Sequence, residues 1–385
     1  MSLMRRSVGV VVAVGAVAAL IVLYRRRRKT IVRRAAFDIG SGASKLLVAD
    51  VDLATGTLVT TLFEAEKPCA FKADAQATAD GTLSEAIKSK GHGLLSSLTD
   101  KARELGATQA CGIATEVFRT APNGLAFLAE VEARTHVPLS VLTQDAEARL
   151  GLATAEALAA GDAAGDAAWD SGGGSFQITS RDPTAPDASS SKIGTATLRS
   201  YVGKLGTGPS FQRLVVAVRS QGYDPGPRGA IGVNPVSRTE AAALVAALTQ
   251  ELPPPPAWLR GSRVVAIGAF NSIFALTLRA SRLLVEGGAA AAGTVTVPGE
   301  EGQSGNGTIT LNAAKAALAA ACEQSDAQLA GVAGHGADAE GAHLVVPKLC
   351  LLVAVAEHLE LDSIRYCRST GGCAGLMALG TFAEL

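Results

Sequence analysis

No two of the six cysteines (Cys69, Cys111, Cys322, Cys350, Cys367, Cys373) stand in a CxxC pair, and they follow no regular spacing. That removes a zinc ribbon and a disulfide framework from consideration. Several lie in apolar runs, where a thiol reads as a small core residue in a reducing compartment. The five histidines (His92, His136, His335, His343, His358) lack metal-ligand spacing as well, and His335 and His343 read as a solvated pair on a glycine-rich loop. Charge is scarce, at 18% of residues, and balanced at 35 basic against 35 acidic. The balance is uneven along the chain: the first 34 residues hold nine basic residues and no acid, leaving 26 basic against 35 acidic and a formal charge of −9 beyond them. Such a surface excludes a general nucleic-acid binder, and a polyanion would have to be met by local basic groups. Apolar periodicity persists through an Ala- and Gly-rich composition, so the chain is globular, and about 350 residues beyond the first segment imply two domains.

The first segment, 1–34, carries an apolar and small-residue run over 8–24, with Arg5 and Arg6 before it and Arg25-Arg26-Arg27-Arg28-Lys29 after it. A bilayer core asks for about 20 residues, with about 17 as the lower limit. The run therefore predicts a membrane anchor with basic flanks, a single-pass N-terminal transmembrane helix. The basic block after it predicts catalytic domains on the cytosolic side. An organelle presequence and a cleaved signal are the alternatives, although arginines stand where a small-residue cleavage site belongs.

Beyond it, two glycine-rich loops each follow an aspartate: Asp38-Ile39-Gly40-Ser41-Gly42 and Asp170-Ser171-Gly172-Gly173-Gly174-Ser175. Each comes after a short apolar run and before a strand-like stretch, 45–49 and 176–179. The pattern predicts strand, tight turn, strand, with the acid ending the first strand. Glycine permits positive φ in such a turn and lets backbone N–H groups approach an anion, while the aspartate suits a hard divalent cation. Two such loops about a domain apart suggest a structural duplication facing one phosphate.

Reading onward predicts a third strand at 58–63 and a helix opened by Thr82-Leu83-Ser84-Glu85 that stops at Gly106. A strand at 109–115, a helix at 122–134, a strand at 139–142 and a helix from about Asp145 follow. The first α/β domain is placed at 35–165 and the second at 166–385. The second has helices at 240–252, 313–322 and 349–358, interrupted by Pro/Ser/Gly-rich loops at 181–192, 222–237, 253–256 and 287–307.

Between the loops stand Ala114-Thr115-Glu116-Val117-Phe118-Arg119-Thr120-Ala121-Pro122-Asn123 and Gln144-Asp145-Ala146-Glu147-Ala148-Arg149-Leu150. With the two loops, these resemble four ordered patterns of the exopolyphosphatase/guanosine-pentaphosphate phosphatase (Ppx/GppA) family, within the actin-like and sugar-kinase-like ATPase superfamily. The resemblance runs from about Ala35 to Phe211, through Leu205-Gly206-Thr207-Gly208-Pro209-Ser210-Phe211, with faint echoes at 268–276 and 371–379. It implies two actin-like (ribonuclease H-like) α/β domains flanking a phosphate-binding cleft. It also implies release of terminal phosphate from inorganic polyphosphate or guanosine pentaphosphate, and possible homodimerisation.

Carried over residue by residue, Glu147 matches the base that activates water and Arg119 the arginine that clamps a phosphate. Asp38 and Asp170 match the acids holding a divalent cation, Mg²⁺ or another. Gly40, Ser41, Gly42, Gly172, Gly173, Gly174 and Ser175 would donate to phosphate oxygens. With Asp145 as N-cap, Glu147 falls in a first helical turn, whose dipole favours the ionised form. A capping role for Glu147, self-capped turns for the aspartates and a surface ion pair for Arg119 are the structural alternatives.

Four departures from the family pattern stand out: Gly42 in place of an asparagine, Ala146 in place of the first acid of the pair, Gln177 in place of an acid, and Gly268-Ala269-Phe270-Asn271-Ser272, a poor phosphate cradle. The family's extra C-terminal domains are not found in the sequence, which favours short polyphosphates or nucleotide polyphosphates. A catalytically weak, membrane-tethered polyphosphate or nucleotide sensor is the alternative function, and a sugar kinase or ATPase of the same superfamily is a third.

Overall fold

The computed structural model describes residues 30–159, 165–186, 196–220, 233–285, 306–333 and 341–378. The chain divides into two compact units, Met1–Leu142 with Leu376–Leu385, and Thr143–Gly375.

The first unit contains β1 (Ile31–Ile39), β2 (Ala43–Asp52), β3 (Thr57–Pro68), α1 (Phe71–Ala77), α2 (Glu85–Glu104), β4 (Gln109–Ala114), α3 (Glu116–Thr120), α4 (Gly124–Thr135) and β5 (Leu139–Val141). Its sheet runs β3-β2-β1-β4-β5. The β3-β2-β1 meander is antiparallel, and β4 and β5 add to it in parallel after helical crossovers. The helix expected from Thr82 takes Ser84 as its N-cap instead, with the Ser84 hydroxyl accepting from Ile87 N at 3.2 Å, and it stops before Gly106 at φ +77°. Beneath α2 and α4, Phe71 meets Phe118 and Phe127 at ring-centroid distances of 5.0 and 5.6 Å. Gly91 in mid-helix makes room for them, since a Cβ there would lie 2.8 Å from Phe127.

The second unit contains α5 (Gln144–Leu158), β6 (Ala167–Ser171), β7 (Phe176–Arg181), β8 (Leu198–Gly203), α6 (Thr207–Gln212) continued by a π-helical stretch, α7 (Arg238–Glu251), β9 (Val264–Gly268), α8 (Ile273–Ala280), β10 (Gly307–Thr310), α9 (Leu311–Ala321), α10 (Asp326–Ala333), α11 (Val345–His358) and β11 (Ser363–Arg368). The short helix α12 (Cys373–Ala378) ends the described chain. The sheet order is β10-β11-β9-β6-β7-β8. Its β8-β7-β6 meander is antiparallel and β9 and β11 continue in parallel, as in the first unit. α11 is buried on all sides, which fits a helix apolar around its whole circumference. Trp169, Phe176, Phe274 and Tyr366 fill the core beside it. All six cysteines are buried. His343 is not a solvated loop residue. It packs edge-on against Phe211 at 5.3 Å and burial lowers its pKa, while His335 lies outside the described residues.

The N-terminal transmembrane helix, and the single-pass location drawn from it, are corrected. No helix among the described residues is long and apolar enough to cross a membrane. The run over 8–24 lies outside the described residues. The last part of the supposed basic flank is the opening of β1. Arg33 forks onto Asp50, with Nε to Oδ1 at 2.8 Å and Nη2 to Oδ2 at 3.1 Å. Arg34 is 2% exposed and donates to Gln109 Oε1 at 2.9 Å and to the Met377 carbonyl at 2.8 Å. Burial lowers the pKa of Arg34. These two arginines are built into a sheet and do not face lipid headgroups.

Candidate functional site

In the first unit, antiparallel pairing of β1 with β2 puts Asp38 opposite Lys45 and Ile39 opposite Ser44. The turn between them closes with Gly40 N donating to Ala43 O at 2.9 Å. No glycine of this turn has positive φ. Openness is what glycine contributes here: a Cβ on Gly42 would meet nothing within 4 Å. The carbonyls of Ser41 and Gly42 accept from Lys72 N at 2.9 Å and Cys69 N at 3.0 Å. Carbonyl oxygens that would repel an anion are thereby occupied. Asp38 itself is 6% exposed, and Lys45 Nζ stands 3.6 Å from its Oδ2.

The stretch from Thr115 to Asn123 performs local work. Arg119, on α3, donates from Nη1 to the carbonyl of Leu142, the last residue before the α5 N-cap. Asn123 brackets the backbone of Leu83, accepting from its N–H and donating to its carbonyl, both at 2.8 Å. That clamp fixes the residue preceding the α2 cap, a role the sequence pattern does not announce.

In the second unit, α5 is capped by Thr143, whose hydroxyl accepts from Ala146 N at 3.2 Å. Asp145 is therefore inside the helix and is not its cap. Glu147 remains in the first turn, half-buried, with its N–H on Thr143 O at 2.9 Å. The positive end of the helix dipole still favours its carboxylate. α5 packs on β6, β7 and β9, so Glu147 rides on the sheet that carries the second loop.

That loop copies the first. Asp170 lies opposite Gln177 and Ser171 opposite Phe176, and Gly172 N donates to Ser175 O at 2.9 Å. Again no glycine has positive φ. Asp170, Gly173, Gly174 and Ser175 are exposed. Gln177 donates to Ser200 Oγ at 3.1 Å. The carbonyls of Gly172 and Gly173 accept from Thr207 N at 3.4 Å and Gly208 N at 2.9 Å, so the start of α6 props the loop. Gly206 is required for this fit, because a Cβ there would lie 2.6 Å from Gly173 C.

Among the described residues, no three His, Cys, Asp or Glu side chains cluster closely enough to cage a metal. Around Asp170 the donors are oxygens: the exposed carboxylate, the Ser175 hydroxyl, and the buried Ser171 hydroxyl, which has no hydrogen-bond partner among the described residues. Such a set suits Mg²⁺, which takes one or two carboxylates and completes its shell with water and phosphate oxygens. Asp38, with an ammonium beside it, suits a cation less well. A cavity of about 360 Å³ lined by Lys88, His92, Glu130 and Arg134 opens in the first unit away from its loop.

Comparison with known proteins bears on these features. The model of the Ppx/GppA phosphatase family matches residues 50–209. A Ppx/GppA family member from Aquifex aeolicus has the same fold, with a TM-score of 0.63 and 16% identity over 90% of this chain and 97% of that one. The type II crystal variant of the Aquifex aeolicus Ppx/GppA phosphatase gives 0.61 and 17% over 90% and 99%. An exopolyphosphatase from Cytophaga hutchinsonii gives 0.60 and 14% over 90% and 96%. No curated protein matches the chain. Residues 50–209 match the Ppx/GppA phosphatase family model, and the chain has the two-domain α/β fold of the solved Ppx/GppA structures.

Proposed function

We propose that the chain is a phosphoanhydride hydrolase that removes terminal phosphate from short inorganic polyphosphate or guanosine pentaphosphate. One observation carries this reading: the two Asp-led turns have the same register and the same closing hydrogen bond. In the second unit the backbone donors of 173–175, with the Ser175 hydroxyl, take the oxygens of a phosphoryl group, and 41–42 with the Ser41 hydroxyl offer the same chemistry in the first unit. Glu147 accepts a proton from water as the water oxygen bonds to the terminal phosphorus. The bridging P–O bond then breaks, and its electron pair leaves on the shortened chain. Arg119 lies one residue short of the α3 C-terminus, and its planar guanidinium suits the clamping of a phosphate. A divalent cation, held by Asp170, would neutralise the phosphate charge.

Phosphate release by the full chain with Mg²⁺, offered tripolyphosphate and guanosine pentaphosphate, tests this. Glu147→Gln is expected to lower the rate by about 100-fold or more with the fold retained. Unchanged release would remove Glu147 from the reaction. A binding-only phosphate sensor is the second reading, favoured by Lys45 beside Asp38 and by Gln177 opposite Asp170. Tight binding of these ligands without release would select it.

A further inference from the structure

The segment after β9, Gly268-Ala269-Phe270-Asn271-Ser272, is used by no step above. Its carbonyls are held one after another from within the unit. Tyr366 Oη donates to Gly268 O at 2.9 Å and to Ala269 O at 3.4 Å. Arg279 Nη1 donates to Phe270 O at 2.7 Å, and Lys348 Nζ to Asn271 O at 2.6 Å. Two cations therefore stand behind one short turn, and Lys348 is only 9% exposed. Among the described residues Arg279 makes no ion pair. Its Nε donates to Val332 O at 3.0 Å, and its Nη2 is buried with no partner among the described residues. Its guanidinium also lies 4.1 Å from the centroid of the Phe270 ring.

On this turn Phe270 is 42% exposed, whereas the other large aromatics among the described residues are buried or half-buried. Its position is functional ground. β9 runs parallel to β6 with Ile267 opposite Asp170, so the Phe270 turn and the second Asp-Gly loop leave the same edge of the sheet. Ligands of such sheets bind beyond the carboxyl ends of the strands. An exposed ring fixed by its backbone and backed by a cation is a stacking surface for a nucleobase, since every base presents a π-face. Inorganic polyphosphate has no group that would use it. The broad bicyclic face of a purine covers such a ring best, and the exposed Asn271 amide beside it can both donate to and accept from a base edge.

We propose that Phe270, backed by Arg279, is the base-stacking subsite of a purine nucleoside polyphosphate, and that this chain is thereby specialised for nucleotides over inorganic polyphosphate. The inference rests on the hydrolase reading for the role of the neighbouring loop. Equilibrium titration of the full chain with guanosine triphosphate and with inorganic tripolyphosphate tests it, since the two ligands carry the same number of phosphates. Phe270→Ala is expected to weaken guanosine triphosphate binding about ten-fold and leave tripolyphosphate unchanged, with Phe270→Trp restoring affinity. Equal losses for both ligands, no loss, or no nucleotide binding by the unsubstituted chain would overturn the subsite. Phosphate release followed in parallel separates the two readings. Hydrolysis indifferent to Phe270 leaves the hydrolase and removes the subsite. Selective loss of nucleotide binding in a chain that releases no phosphate keeps the subsite and removes the hydrolase.

Discussion

Asp38 and Asp170 occupy equivalent points of two equivalent turns, yet their surroundings differ in kind. Each aspartate follows a buried aromatic, Phe37 or Trp169, and each faces the residue seven positions on. In the first unit that residue is Lys45, and the carboxylate is buried beside an ammonium. In the second it is Gln177, which turns to Ser200, and the carboxylate is exposed. A shared backbone therefore does not fix a shared task. The first turn holds its acid buried beside an ammonium, and the second presents its acid to solvent.

The comparison can be broken or sharpened in steps of decreasing size. Removing the aromatic floor of either turn has the largest effect. Trp169→Ala and Phe37→Ala should each lower stability by about 3–5 kcal/mol in denaturant titrations. Asp38→Asn leaves Lys45 beside a neutral group in a buried setting and should cost about 2 kcal/mol, read as a lowered melting temperature. The equivalent Asp170→Asn, at an exposed carboxylate, should leave the melting temperature nearly unchanged.

Gly206→Ala forces the start of α6 away from Gly172 and Gly173. It should raise KM for a phosphate substrate about ten-fold, from a displaced loop, while turnover falls less. The smallest effect lies far from either loop. Arg219 donates to Glu240 and holds its carboxyl down at about 2. The folded value lies below the unfolded value of about 4.3, so the associated stability is present above that pH and is lost as pH falls toward 2. Glu240→Gln should therefore cost about 1 kcal/mol at pH 7 and almost nothing at pH 2, as read by urea titration at the two pH values.

Much of this architecture is legible in the sequence because local chemistry and global fold agree. The hairpin pattern around each Asp-Gly loop, the stop at Gly106 and the crossover helices of the first unit all carry strong turn or cap signals. Where signals are short or shared, the reading fails. Val264–Gly268 and Ser363–Arg368 are central strands of five and six residues, too brief to separate from helical segments by periodicity. Thr143 and Asp145 are both good caps, and only the backbone shows that Thr143 is used. Positive φ was expected of the loop glycines and is found elsewhere, because a four-residue turn with its own closing hydrogen bond does not need it. A basic stretch ending in Arg33 and Arg34 looks like a membrane flank until Asp50 and Gln109 are seen to receive those side chains. Lys45 was within reach of sequence reasoning. A four-residue turn after Ile39 sets the pairing of Asp38 seven residues on, but a strand lysine is ordinarily read as solvated.

The division of labour between the two turns is tested most directly by the Mg²⁺ dependence of phosphate release in Asp38→Asn and Asp170→Asn, each made in the full chain. The account predicts that Asp170→Asn raises the Mg²⁺ concentration for half-maximal release by about ten-fold or more. Asp38→Asn should leave that midpoint in place and lower only the fraction of folded protein. Equal displacement of the midpoint by both substitutions would contradict it, and would return Asp38 to the metal despite the lysine at its side.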